Sequence, residues 1–309
     1  MRSLRVGLVA GVGLVVAATA CTSPGDDAAP LPSGVAQGLS AELRQDRTQY
    51  ADRTAKLHVV NGSDRTVTLL GGTLDAPGYG PSSPDGPAHA REIPPGVGRD
   101  VRLRLGEVDC GTAAPATLTG AEAQRTPVAT ATVLVADGEA AGSTPAGTAV
   151  EVEVVDPLGR LAAVHAETCA EHLVASGVTL RVTDVRAGRV PAPDGDVPGG
   201  RIILAVEPVP GGPDVRLTEI SGTTLLSPAA GDAWTGDDLA GETAGAGHVV
   251  LDVVPARCDP HVVAEDKRGT FLPVHAEVDG VPQPEIYVPM TDEQRAAVYD
   301  LVHDACGWG

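Results

Sequence analysis

Five cysteines carry most of the covalent chemistry open to this chain: Cys21, Cys110, Cys169, Cys258 and Cys306. A thiolate can attack carbon, pair with a second thiol or bind a soft metal. None of the five stands in a C-x-x-C pair, so neither a zinc knuckle nor a dithiol redox centre is indicated. In residues 21–309 there is no G-x-S-x-G elbow, H-E-x-x-H, Walker loop or S-x-x-K pattern. Carboxylates gather in GDAWTGDDLAGE, where Asp232, Asp237, Asp238 and Glu242 surround Trp234. Calcium needs several such oxygens on a tight loop, but the spacing fits no EF-hand loop, so the segment reads as a solvated acidic loop and a weak metal candidate. The densest polar stretch is CDPHVVAEDKRG, in which Asp266, Lys267, Arg268 and Gly269 read as a charged hairpin turn and a candidate partner-binding loop. No catalytic residue and no cofactor is assigned.

The first cysteine closes VVAATAC, residues 15–21. Arg2 and Arg5 precede an apolar run from Val6 to Val16, which is well short of the roughly 20 residues of a spanning helix. Small residues Ala17 to Ala20 follow, giving residues 1–20 the layout of a cleaved secretory signal. With Cys21 directly behind Ala18-Thr19-Ala20, the segment resembles the lipobox of bacterial lipoproteins, although Ala18 stands where that family prefers Leu, Val or Ile. The resemblance implies that Cys21 becomes the lipidated first residue and holds the protein to the extracytoplasmic face of the cell membrane. Residues 21–38 are rich in Pro, Gly, Ser, Asp and Ala and are expected to form a disordered tether.

Charge narrows the partners. The chain holds 41 acidic against 22 basic side chains, and Arg2 and Arg5 lie in the signal. An excess of this sign repels phosphate backbones, which argues against nucleic acid. It also disfavours docking on anionic lipid by charge, leaving attachment to the acyl chains. One Phe, two Trp and four Tyr mean that the core must be built from Val, Leu and Ala.

Short alternating segments punctuated by Gly and Pro then dominate. KLHVVNGSDRTVTLL reads as strand, Asn-Gly turn and strand, and GRDVRLRLGEVDC sets Val101, Leu103 and Leu105 against Arg102 and Arg104. Such patterns indicate a mainly β chain of sandwich or barrel type. The segments also recur: GRDVRLRLGEVDCG matches GHVVLDVVPARCDP, TPVATATVLVADG matches TFLPVHAEVDG, and each copy ends in an expected short helix followed by a cysteine. In the second copy Thr291 and Gln294 form a capping box ahead of Ala297, Val298, Leu301 and Val302. In the first, Asp156 caps, Pro157 takes the first helical position, and Leu161 and Val164 face inward. Two tandem sandwich domains are therefore expected, at 39–172 and 176–309. Their architecture resembles immunoglobulin-like and fibronectin-like folds, without the antibody Cys–Trp–Cys pattern. The whole chain resembles the exported lipoproteins common in actinobacteria, a likeness that brings no activity with it.

With Cys21 assigned to lipid, four cysteines remain, and only Cys110–Cys169 with Cys258–Cys306 keeps each bond within one copy and equivalent between copies. The expected role is that of a non-enzymatic binding or accessory protein of the cell envelope, meeting an envelope protein or a small ligand. A hydrolase whose nucleophile and base meet only in space is the alternative. Replacing Cys258 and Cys306 together by Ala should lower the free energy of unfolding by about 2–5 kcal/mol, read from urea titration. An unchanged midpoint would contradict a structural role for that bond.

Overall fold

The computed structural model describes residues 31–46, 49, 52–87, 89–138, 147–236, 239, 247–264, 266 and 268–308. The chain is mainly β. A short helix α1 (Ser33–Gln37) leads into β1 (Leu39–Arg44), β2 (Thr54–Asn61), β3 (Val67–Asp75), β4 (Ser83–Pro84), β5 (Arg91–Ile93) and β6 (Gly98–Arg104). Then come α2 (Gly120–Ala123), β7 (Ala129–Asp137), β8 (Thr148–Val155) and the long helix α3 (Arg160–Gly177). The second half runs through β9 (Val178–Val190), β10 (Val197–Pro208), β11 (Val215–Ser221), β12 (Leu226–Pro228), β13 (Ala233–Thr235) and β14 (Gly247–Pro255). It ends with α4 (Pro260–Ala264), β15 (Phe271–Val278), β16 (Val281–Pro282), β17 (Ile286–Pro289) and α5 (Asp292–Cys306).

Strand pairing in the second half repeats that of the first. β2 lies between β1 and β6, as β10 lies between β9 and β14. β3 pairs with β5 and β7, as β11 pairs with β13 and β15. β7 pairs with β8, as β15 pairs with β17. Even the irregularity recurs: the ladder slips between Leu69 and Gly71 in β3 and between Leu217 and Glu219 in β11. One difference bears on how the walls join. In the first half β1 and β8 pair in parallel through Ala41–Val154 and Glu42–Val155, which joins both walls into one eight-stranded path. In the second half the sheet β12-β14-β10-β9 and the sheet carrying β13, β11, β15, β16 and β17 stay separate.

Alternation decides what is buried. Leu57 and Leu103 on one wall of the first half, and Leu69 and Val133 on the other, are fully or almost fully buried in one cluster. Ile202, Leu204, Leu251, Ile220 and Val274 do the same in the second. Trp234 belongs to this second core from its place on β13, where flanking Gly and Asp suggested a loop. The expected tether also shortens, because Val35 on α1 is 1% exposed and packs into the first core, so structure begins before Gly38.

The two helices follow sequence rules to different degrees. At α5 the capping box forms as expected, Val298, Leu301 and Val302 are fully buried, and Gln294 Nε2 also donates to the Val182 carbonyl at 2.8 Å. At α3 the start is displaced. Gly159 takes φ +61° and makes a turn with Asp156, so the helix begins at Arg160 and Pro157 lies outside it. The Asp156 carboxylate still accepts from the Leu161 N–H at 2.8 Å. The Asn-Gly segment is likewise no hairpin, since β2 and β3 lie in different walls. Fully buried Asn61 instead holds the crossing, donating to the Arg65 and Ile93 carbonyls at 2.7 and 2.8 Å.

Helix α3 serves both halves. Leu161 and Val164 lie in the first core, while Ala170 and Val174 lie in the second. Gly177 ends the helix and Val178 begins β9 with no residue between them. A second half cut at Ser176 would therefore lose two core side chains. A piece running 160–309, with Cys169→Ser, should be more stable to urea than 176–309 by about 2 kcal/mol or more, from the burial of one valine and one alanine. Equal midpoints would show that the helix adds nothing to the second core.

Candidate functional site

The four later cysteines form Cys110–Cys169 and Cys258–Cys306, with Cα separations of 5.6 and 5.4 Å. Each bond ties the segment after a central strand, β6 or β14, to the helix that ends its half. Cys21, Asp237, Asp238, Glu242 and Lys267 lie outside the described residues. Asp232 is exposed, and among the described residues no three His, Cys, Asp or Glu side chains are grouped to hold a metal ion.

Asp266 and Arg268 sit on the turn from α4 into β15, so this is a helix-to-strand connection, not a hairpin. Asp266 closes it by accepting from the Gly269 N–H at 2.8 Å and from the Thr224 hydroxyl. Arg268 crosses to the other half: its Nη2 donates to Glu167 on α3 at 3.1 Å, and its guanidinium lies 3.8 Å from the centre of the Tyr287 ring. Beside it, Arg53 donates to Thr168 and Glu171 on the same helix. Tyr287 donates to Glu285, which His275 approaches to 3.2 Å. Burial pushes the Glu167 carboxyl up, opposed by the neighbouring Arg268 charge. Burial, then the bond to Glu285, pushes the Tyr287 hydroxyl up to about 12. These charges are arranged against one another as a clasp between the halves. Sequence reasoning singled out Arg268 but not Glu167, Arg53 or Tyr287, because their meeting depends on the placing of α3.

A concavity of different character opens in the first half where β3 and β5 approach β4 and β6. It is a groove of about 330 Å³ with Leu69, Gly71 and Val101 among its lining residues. A Cβ on Gly71 would meet nothing within 4 Å, so this glycine leaves the space clear. Arg91 reaches the groove from β5 and Arg102 from β6, joined by His89. Two carboxylates also line it, and both are engaged: Asp85 with Arg104 at 3.3 Å, and Asp100 with His58 at 2.6 Å. The His58–Asp100 pair is not poised for nucleophile activation. The outer nitrogen of the ring, Nε2, packs against Gly98, where even a Cβ would collide with it.

Comparison with known proteins adds little to this geometry. No family model matches the chain, and no curated protein sequence does. Among solved structures, the complex of the chaperone CsuC with the tip adhesion subunit CsuE, from archaic chaperone-usher Csu pili of Acinetobacter baumannii, is 10% identical. That match covers 78% of this chain and 93% of that one, with a TM-score of 0.16. CBD12 from CALX1.2 is also 10% identical, covering 77% of this chain and 79% of that one, with a TM-score of 0.18. Scores this low leave the strand pairing above as the basis for the architecture.

The clasp makes a pH-dependent contribution whose sign follows from Glu167. Its folded-state pKa is raised, so its contribution favours folding most at low pH and is lost as pH rises through that pKa. Glu167→Gln keeps an acceptor for Arg268 and removes the titration. Relative to the wild type, its stability to urea should therefore improve as the pH rises above about 4.5, until the folded-state carboxyl is ionised. A constant difference across that window would mean that the carboxyl does not titrate with a raised pKa in the folded protein.

Proposed function

We propose that this chain is an exported lipoprotein, held at the outer face of the cell membrane through Cys21, and that it acts there as a non-enzymatic binding protein. The observation that carries the export reading is the pair of disulfides, each closing within one half, since such bonds persist in oxidising compartments. They account for four cysteines and leave Cys21, behind Ala18-Thr19-Ala20, for the lipid. No helix among the described residues is long and apolar enough to cross a membrane.

The binding role rests on how the polar groups are used. At the junction, charges are engaged with one another across α3, which suits a structural clasp. The groove of the first half combines apolar walls with cationic side chains, which suits a ligand. The wild-type chain should enter the detergent phase of a Triton X-114 extraction, and Cys21→Ser should move it to the aqueous phase or leave the precursor uncleaved. Unchanged partitioning of the variant would overturn the lipid anchor.

A further inference from the structure

The groove carries information about the kind of ligand it would take. Arg91 and Arg102 stand on opposite walls, and among the described residues neither side chain enters an ion pair. The carboxylates that could neutralise them, Asp85 and Asp100, are occupied by Arg104 and His58. With Arg104 counted, three guanidinium groups meet two carboxylates around the groove, a local surplus of positive charge on a chain with 41 acidic and 22 basic side chains. Leu69 and Val101 give it an apolar lining beside those charges.

The second half offers an internal comparison. The ladder slip places Glu219 where the first half has Gly71. Aligning the buried Leu103 with Leu251, the offset that also aligns Cys110 with Cys258, puts Val250 where the first half has Arg102. A glycine and an arginine that open and charge the groove are thus replaced by a glutamate and a valine. Glu219 there accepts from the Ser221 hydroxyl at 2.8 Å, and Val250 is 50% exposed. The frame is shared, but the cationic groove belongs to the first half.

We propose that this groove binds a small organic anion, an oxyacid group on a compact apolar body, with the acid between Arg91 and Arg102 and the body against Leu69 and Val101. Arginine suits the task because its planar fork offers paired donors to an oxyacid and stays charged at any physiological pH. The volume of about 330 Å³ lies at the low end for ligand pockets and fits one or two rings or a short acyl chain, not a polymer. Because the overall charge repels anions at long range, recognition has to act at contact distance, within about one Debye length.

This assignment rests on the binding-protein reading, and calorimetry separates the two. The probe is 1-naphthoate, titrated into the full chain carrying Cys21→Ser, with 1-naphthylmethylammonium and inorganic phosphate as charge-reversed and body-free controls. Naphthoate should bind at least tenfold more tightly than either control. Arg102→Val and Gly71→Glu, which install the residues of the second half, should each weaken it about tenfold or more, as losing a charge-assisted hydrogen bond or filling the space implies. Arg91→Ala should do the same. Urea midpoints within error of the parent would show that these substitutions leave the fold intact. Equal binding of the cation, phosphate as tight as naphthoate, unchanged affinity in all three variants or no binding by the parent would each overturn the proposal. None of those results bears on the anchor, which the detergent partition of the Cys21 variant decides separately.

Discussion

Everything in the second half is placed by one helix that belongs to two cores. Helix α3 leaves Leu161 and Val164 in the first cluster and Ala170 and Val174 in the second. Between these pairs Cys169 is bonded to Cys110, the Tyr79 hydroxyl donates to the Leu161 carbonyl at 2.5 Å, and His165 meets the Tyr79 ring edge-on at 5.9 Å. The helix is thereby fixed to the first half before its last two turns reach the second. Arg268 and Arg53 then grip its partly buried side through Glu167 and Glu171. Such ion pairs add little when fully solvated, but here they flank an apolar joint and restrict the angles at which it can close.

A chain so poor in aromatic side chains must obtain its stability elsewhere. Val, Leu, Ile and Ala fill both clusters, with Trp234 and Met290 as the large exceptions in the second. Each such side chain contributes about 1.5–3 kcal/mol when fully buried, less for alanine, against the conformational entropy of ordering it. Disulfides closing loops of 59 and 48 residues reduce that entropic cost from the unfolded side, by roughly 4 kcal/mol each in the chain-entropy account. The walls of the first half gain a further link in the two-residue parallel pairing of β1 with β8.

Local patterns were readable where local physics rules. Alternation in GRDVRLR and ATATVLVAD defined β6 and β7, and Thr291 with Gln294 marked the start of α5. The repeat led to the same cysteine pairs that the structure joins. What sequence could not supply was the outcome of non-local competition. Asn61-Gly62 carries a hairpin signal, but Asn61 is drawn into bonds with Ile93 across the fold. Asp156-Pro157 carries a cap signal, yet Gly159 allows one more turn of chain before the helix starts. Arg268 was legible as charged and not as a clasp, because Glu167 lies 101 residues away. The groove was hidden for the same reason: its arginines come from different strands, and only the folding of β3 and β5 toward β6 brings them to one cavity.

The absence of any loop between Gly177 and Val178 has a mechanical meaning. A flexible connection would let the halves swivel, so torque on one would be lost before reaching the other. Here the backbone passes from helix to strand in one step, and a Cβ on Gly177 would collide with Pro213 and Val215 across the bend. Twisting one half about the other requires either unwinding the end of α3 or peeling β9 from β10, to which it is paired along its length. Helix α5 shows the contrast, since Gly307 at φ +66° ends it just past its cysteine, where α3 continues for two more turns. Those extra turns convert a closing cap into a torsion bar.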